Sequence, residues 1–271
     1  MSKISNFVHK IISSINLNKE KYISQWNNPV GTETKYFVVD DLIDEEDCKN
    51  IYNSFNLKND IWKHHSTFRE KKSTTAKIDT LDPIVPAITD SFQTTEVVDC
   101  ISKITGINNL EPDHSLYAGG ISAMTKDDFL NPHIDNSHNA TRTHFRRLNL
   151  LFYVSPKWDT EKGGNFELWD SNVNIPTTII SKFNRLVVME TGPATYHSVN
   201  PVKVDEFRCC VSNYYFSKQS FNKKNYYHVT SFTGRPGQHM QRVYGIIDNK
   251  LRNLISNRIG LKRLQSQKIL R

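Results

Sequence analysis

Long apolar runs are missing from this 271-residue chain. The longest, such as Leu148 to Val154, fall far short of the roughly 20 residues a membrane-spanning helix needs. A continuous apolar segment is also missing at the N-terminus, where His9, Lys10, Ser13, Ser14 and Asn16 interrupt the run, so a secretory leader is not expected. Cysteine is scarce. Cys48, Cys100, Cys209 and Cys210 form no CxxC pair and are too few for a disulfide framework, which leaves them as small buried residues in a reducing compartment. The expectation is a cytoplasmic protein. No internal repeat and no low-complexity stretch is visible, and the 37% hydrophobic content is that of a globular chain.

Acidic residues are nearly absent from one end. Residues 218–271 carry twelve Lys or Arg and one acid, Asp248, while residues 1–217 carry 23 bases and 27 acids. The basic end could face nucleic acid, an acidic polymer or a lipid surface. It has no RNA-binding motif and its charges are spaced, so a solvated helical face is the expectation and nucleic acid is not an expected partner.

What is present falls into two halves. Residues 3–26 place Ile4, Phe7, Val8, Ile11, Ile12 and Ile15 at helical spacing. A strand is expected over Lys35 to Asp40, a helix beginning at an Asp44 cap, and further helices over Pro83 to Phe92 and Thr95 to Thr105, the last closed by Gly106. Trp62 to Arg69 reads as a strand or an ordered loop. From Leu116 onward short apolar runs alternate with turn residues: Leu116 to Met124, Arg147 to Val154, Asn165 to Trp169, Thr177 to Ile180, Arg185 to Met189, His197 to Val204 and Arg208 to Phe216. That rhythm predicts an antiparallel sandwich or barrel, hence an α+β fold. The expected organisation is a helical and strand support over 1–115, the β core over 116–217, and a basic helical extension over 218–271. Val243, Ile246, Ile247, Leu251, Leu254 and Ile255 are expected to pack that extension on the core.

Asn131-Pro132-His133-Ile134-Asp135-Asn136 carries the chemistry. On an extended segment residues i and i+2 point the same way, so His133 and Asp135 present an imidazole and a carboxylate on one face. With a distant histidine they compose the 2-His-1-carboxylate triad of non-haem Fe(II), which leaves positions for a bidentate co-substrate and O2. His197 fits the third place. Eleven residues on, Arg208 opens an apolar strand, where a lone guanidinium is costly unless paired; its fork suits the distal carboxylate of 2-oxoglutarate.

These stretches, with Arg147 to Val154, Gly163 to Leu168, Tyr196-His197-Ser198-Val199 and Arg208 to Phe216, resemble the 2-oxoglutarate/Fe(II) dioxygenases of the prolyl 4-hydroxylase-like branch. The resemblance covers residues 116–217. It implies a double-stranded β-helix (jelly-roll) core, iron on His133, Asp135 and His197, and 2-oxoglutarate on Arg208. It implies Fe(II), 2-oxoglutarate and O2 as cofactors, with ascorbate as a further reductant, and succinate and CO2 as products. The intact Asp135 points to hydroxylation, because halogenating relatives lack that carboxylate. One departure is Cys210, where the family often has Ser or Thr two residues after the arginine; a thiol is a weak donor, and Asn149 or Tyr153, on the inward face of the Arg147 strand, is the expected replacement. By family analogy the expected substrate is an amino acid, free or in a peptide, with a saccharide or natural-product intermediate as the alternative. The helical ends admit a homodimer.

Other readings of the same residues remain open here. The three ligands could hold Zn(II) in a non-catalytic barrel, with Arg208 half of an ion pair. A metal-dependent hydrolase would recruit His138 as a ligand; His138 otherwise reads as a polar loop residue, an outer-sphere group or a substrate contact. Arg142, His144, Arg146 and Arg147 read as a solvated basic loop or as a site for an acidic substrate group, and Trp158 and Trp169 as core or rim aromatics.

Overall fold

Leu186-Val187-Val188-Met189 is apolar at four consecutive positions, which in a strand requires both faces to be covered. Both are. Leu186 and Val188 pack with Leu148, Leu150, Phe152, Cys209 and Val211 under a layer of helices, while Val187 and Met189 face Tyr153, Phe166, Leu168, Ile179 and Cys210 inside a curled sheet. Cys209 and Cys210 thus enter opposite cores, as adjacent strand residues must. Truncating one helix-facing side chain, for instance Leu150→Ala, costs roughly 2–5 kcal/mol.

This computed structural model describes residues 2–117 and 119–259, with side chains through residue 255. Its helices are α1 (Lys3–Leu17), α2 (Lys19–Asn27), α3 (Glu45–Asn53), α4 (Ile84–Ser91), α5 (Thr95–Thr105) and α6 (His239–Ile259). The strands that open the sheet are β1 (Tyr36–Val39), β2 (Lys63–Ser66), β3 (Glu70–Thr75), β4 (Glu111–Pro112), β5 (Gly120–Met124), β6 (Phe129–Ile134) and β7 (Phe145–Tyr153). They are followed by β8 (Phe166–Trp169), β9 (Pro176–Ile179), β10 (Arg185–Glu190), β11 (His197–Val199), β12 (Arg208–Ser217) and β13 (Ser231–Phe232). All thirteen join one antiparallel sheet, whose main path runs β1-β10-β7-β12-β5-β3-β6-β11-β8-β9. The path folds over so that β8 and β9 share a core with β7, β10 and β12, the α+β jelly-roll expected from the sequence.

Several local expectations shift. The first helix divides at Asn18, whose backbone leaves the helical region. Asp44 stands at the N-cap of α3, but its carboxylate is drawn to Lys10 of α1 and makes no capping bond. β3 is a strand the periodicity does not announce, because Glu70 to Thr75 is polar and becomes extended only by pairing with β5 and β6. β11 stops at Val199, short of Val204.

The largest correction concerns α6. Val243, Ile246, Ile247, Leu251 and Leu254 are exposed rather than packed. The helix turns polar side chains to the sheet instead: Asn249 bonds both backbone groups of Phe232, Asn253 bonds the Val229 amide, and Asp248 pairs with Arg69 at 2.5 Å. Residues 260–271, expected as helix, lie outside the described residues. Among the described residues no helix is long and apolar enough to cross a membrane.

Candidate metal centre

His133 is the penultimate residue of β6, and His197, which opens β11, is its direct partner across the ladder. The two rings stand 4.2 Å apart between centroids. Asp135 follows β6 by one residue. His133 Nε2 is 3.7 Å from Asp135 Oδ1, His197 Nε2 is 3.8 Å from Oδ2, and the ligand atoms of all three lie within 4.8 Å of one another.

The tautomers are fixed by what stands behind the rings. His133 Nδ1 is 2.9 Å from the Asn131 carbonyl and His197 Nδ1 is 3.1 Å from the Thr195 carbonyl. A carbonyl only accepts, so each Nδ1 carries the proton and each Nε2 presents a lone pair to the centre. Burial, then the neighbouring His197, pushes His133 down to about 3, so its ring is neutral near pH 7. Burial raises the Asp135 carboxyl, but Arg146 first and the two histidines after it outweigh that and hold it well below the usual carboxylate range. Two lone pairs and a carboxylate, all acceptors, therefore converge with no proton among them. That donor set fits a divalent cation, with outer partners orienting each histidine. Among the described residues these three form the whole ligand group, so the reading that recruits His138 is not supported.

Arg146 and Arg147 are not in a solvated loop. A bulge in the β7–β12 ladder beside them breaks the alternation. Arg146 Nη1 lies 3.2 Å from Asp135 Oδ2, with its other nitrogen on Asn136, and Arg147 pairs with Glu190 at 3.1 Å. Both are buried, which the sequence signalled only by setting two arginines at the mouth of an apolar strand.

Arg208 shares its strand face with Cys210, so its side chain enters the inner core. Gly163 and Gly164 bring the preceding loop close: both have positive φ, and a Cβ on Gly164 would stand 3.5 Å from Arg208 Cδ. The guanidinium lies 4.6 Å over the Tyr153 ring, and its Nε donates to Ser181 at 3.2 Å. Among the described residues no carboxylate pairs with it, against the ion-pair reading. The Tyr153 hydroxyl beside it is buried without a hydrogen-bond partner. Burial raises the Tyr153 phenol against the pull of Arg208, so it stays a donor. Asn149 is elsewhere: it pairs with Tyr214, four positions from the Tyr153–Cys210 pair and thus roughly 13 Å along the strand, with its Oδ1 also unpartnered. Cys210 packs among apolar side chains.

Trp158 and Trp169 are buried, the first donating to Gly163 and the second to Ser198. His138 sits against Phe145 with Ser137 on its Nδ1, and forms one wall of a cleft of about 490 Å³ with Arg142, Tyr226 and Tyr227. The Tyr226 hydroxyl and both ring nitrogens of the adjacent His228 are unpartnered.

Residues 119–216 match the model of the 2OG-Fe(II) oxygenase superfamily. Among curated proteins the chain is similar to the prolyl 3-hydroxylase OGFOD1 of Mus musculus, at 26% identity over 133 residues, 47% of this chain and 23% of the relative. The match thus spans less than a quarter of that relative's length. Among solved structures it is similar to a prolyl hydroxylase from Trichoplax adhaerens held with a hypoxia inducible factor peptide (TM-score 0.55, 15% identity, 75% of this chain and 92% of that one). It is also similar to a prolyl 4-hydroxylase from Phytophthora capsici (TM-score 0.56, 16% identity, 92% of this chain and 78% of that one). At such identities these likenesses speak to the fold. Over residues 119–216 the chain is similar to the 2OG-Fe(II) oxygenase superfamily.

Proposed function

We propose that this chain is a dioxygenase whose Fe(II) is held by His133, Asp135 and His197 and whose 2-oxoglutarate is anchored by Arg208. The observation that carries the reading is the pairing of a convergent acceptor set with a buried guanidinium that, among the described residues, has no acid of its own. Fe(II), when bound, supplies the activation of O2 that couples conversion of 2-oxoglutarate to succinate and CO2 with insertion of one oxygen atom into a substrate C–H bond. The protein's part lies in its side chains. Neutral His133 and His197 offer Nε2, Asp135 offers a carboxylate neutralised from behind by Arg146, and Arg208 with the Tyr153 hydroxyl grips the distal carboxylate of the co-substrate. Burial of His133, His197, Arg208 and Tyr153, with Asp135 half-buried beside them, limits the access of bulk water to those contacts.

The substrate proposed is an amino acid, within a peptide or free. The cleft beside His138 is aromatic-walled, and His138 is three residues from Asp135, so their Cα atoms are within about 11 Å. Its lining includes Arg142 and no Asp or Glu, so the walls suit an anionic or acidic segment. The names of the relatives favour a prolyl side chain. The test is incubation of the full chain with Fe(II), 2-oxoglutarate and a library of amino acids, acidic and proline-bearing peptides, and saccharides. Succinate release should rise with an amino-acid or peptide substrate that gains one oxygen atom by mass. Gain of oxygen by a saccharide instead would move the substrate class, and absence of any 2-oxoglutarate turnover would contradict the enzymatic reading.

A further inference from the structure

β11 is too short to fix its own place. It has three residues, and its ladder to β6 slips between His197 and Val199, at the point where a histidine must be aimed. On the side away from β6 it pairs with β8, where Ser198 stands opposite Glu167. Ser198 Oγ donates to the buried Glu167 carboxylate at 2.6 Å and receives the Trp169 indole at 2.8 Å. A cation from far along the chain closes this knot. Arg235 Nη2 lies 2.7 Å from Glu167 Oε2, 3.2 Å from Ser198 Oγ and 3.1 Å from the Val199 carbonyl. One guanidinium therefore holds the strand residues immediately after His197.

The same segment reaches the other histidine. Phe232 pairs with His133 across the β13–β6 ladder, and its ring stacks on the imidazole at 4.9 Å with 20° between planes. The Thr233 amide donates to the Pro132 carbonyl at 2.8 Å. Asn249 of α6 pins Phe232 by accepting from its amide at 3.1 Å and donating to its carbonyl at 2.9 Å. His133 is thus held between His197 and Phe232, whose position is set by a polar face of α6. All of these residues lie outside the matched stretch 119–216, apart from the groups they grip.

We propose that residues 231–249 are a clamp on the metal centre, with Arg235 the positioning residue for His197 and Phe232, seated by Asn249, the positioning residue for His133. The proposal rests on the metal reading above. Losing Arg235 leaves Glu167 as a buried uncompensated carboxylate and frees the strand behind His197, so the two Nε2 atoms no longer share a fixed separation. Lysine in its place keeps the charge but lacks the planar group that lies 5.6 Å over the Trp169 ring.

The test uses the full chain stripped of metal. Mn(II) affinity is measured anaerobically by calorimetry, well below the melting point, alongside the apo melting curve and the visible spectrum of a Co(II)-loaded sample. Arg235→Ala should weaken Mn(II) binding about 10–100-fold, the usual consequence of losing an outer partner of a ligand. It should also alter the Co(II) spectrum, with Arg235→Lys in between. Asn249→Ala should move the same readouts in the same direction. Wild-type affinity and an unchanged Co(II) spectrum in Arg235→Ala, whatever its melting point, would overturn the clamp, because a merely structural residue lowers stability without touching the site. Should Arg235→Ala not fold, Ser198→Ala decides: weaker Mn(II) binding supports the clamp and wild-type binding overturns it. A wild-type chain that binds no Mn(II) would overturn the metal reading itself, a distinct result.

Discussion

Arg146 and Arg208 are both buried guanidinium groups on strands that line the site, and they differ in what stands opposite. Arg146 meets Asp135 at 3.2 Å and Asn136 at 2.6 Å, so its charge is answered within the chain. Arg208 meets a serine hydroxyl, a thioether sulfur 3.8 Å away and an aromatic face, all neutral. A buried charge left unanswered is expensive, and chains keep one where a ligand answers it. In the function proposed above, the first arginine serves the metal end of the site and the second its anion end.

The sharpest way to break this comparison is to remove each cation in the apo protein. Arg146→Met strands the Asp135 carboxylate and should destabilise the fold by roughly 3–5 kcal/mol, whereas Arg208→Met removes an unanswered charge and should be neutral or stabilising. Denaturant melts of both variants, with and without Mn(II), read this; added metal should shrink the Arg146→Met loss, because the ion takes over the charge it leaves. Equal losses in the two variants would erase the distinction.

Ligand binding should divide in the opposite way. Arg208→Gln forfeits a charge-assisted pair worth about 1.5–3 kcal/mol per bond, so the 2-oxoglutarate KM should rise at least 10-fold while Mn(II) affinity stays put. His197→Ala should abolish Mn(II) binding and with it all turnover.

The metal end should also carry a pH signature. His133 titrates near 3 when folded, through burial and then its neighbour His197, against an ordinary value of about 6.5. Between those values the unfolded chain holds the extra proton. The stability contributed by the neutral ring is complete above about pH 6.5 and is lost as pH falls toward 3. Apo melting temperatures should decline over that range, and His133→Gln should flatten the decline.

Much of this was legible because it rests on local rules. His133 and Asp135 are two apart on an extended run, Arg208 is alone in an apolar strand, and α5 ends where Gly106 permits a left-handed residue. What was hidden rests on distant partners. β3 is polar, and only its neighbours make it a strand. The buried state of Arg146 follows from a bulge and from Asp135, eleven residues earlier and just past the end of another strand. The apolar pattern of α6 pointed it the wrong way, because its seat on the sheet is made by Asn249, Asn253 and Asp248. Arg235 sits in a Gly-Arg-Pro-Gly turn that carries no local sign of Glu167.

The smallest expected effect is at Tyr153. Phenylalanine there removes one hydroxyl and keeps the ring under Arg208, so a single lost hydrogen bond of about 0.5–1.5 kcal/mol should raise the 2-oxoglutarate KM roughly 2–10-fold. Asn149→Ala, some four positions away, should leave that KM nearer the wild-type value.

The most direct measurement is an anaerobic titration of the apo chain with Fe(II) and then 2-oxoglutarate, followed in the visible. The account predicts a weak charge-transfer band that grows to one equivalent of co-substrate, is absent in His197→Ala, and needs far more 2-oxoglutarate in Arg208→Gln. Tight Fe(II) binding with no band, or a band indifferent to Arg208, would contradict it and leave a metal-binding barrel without co-substrate.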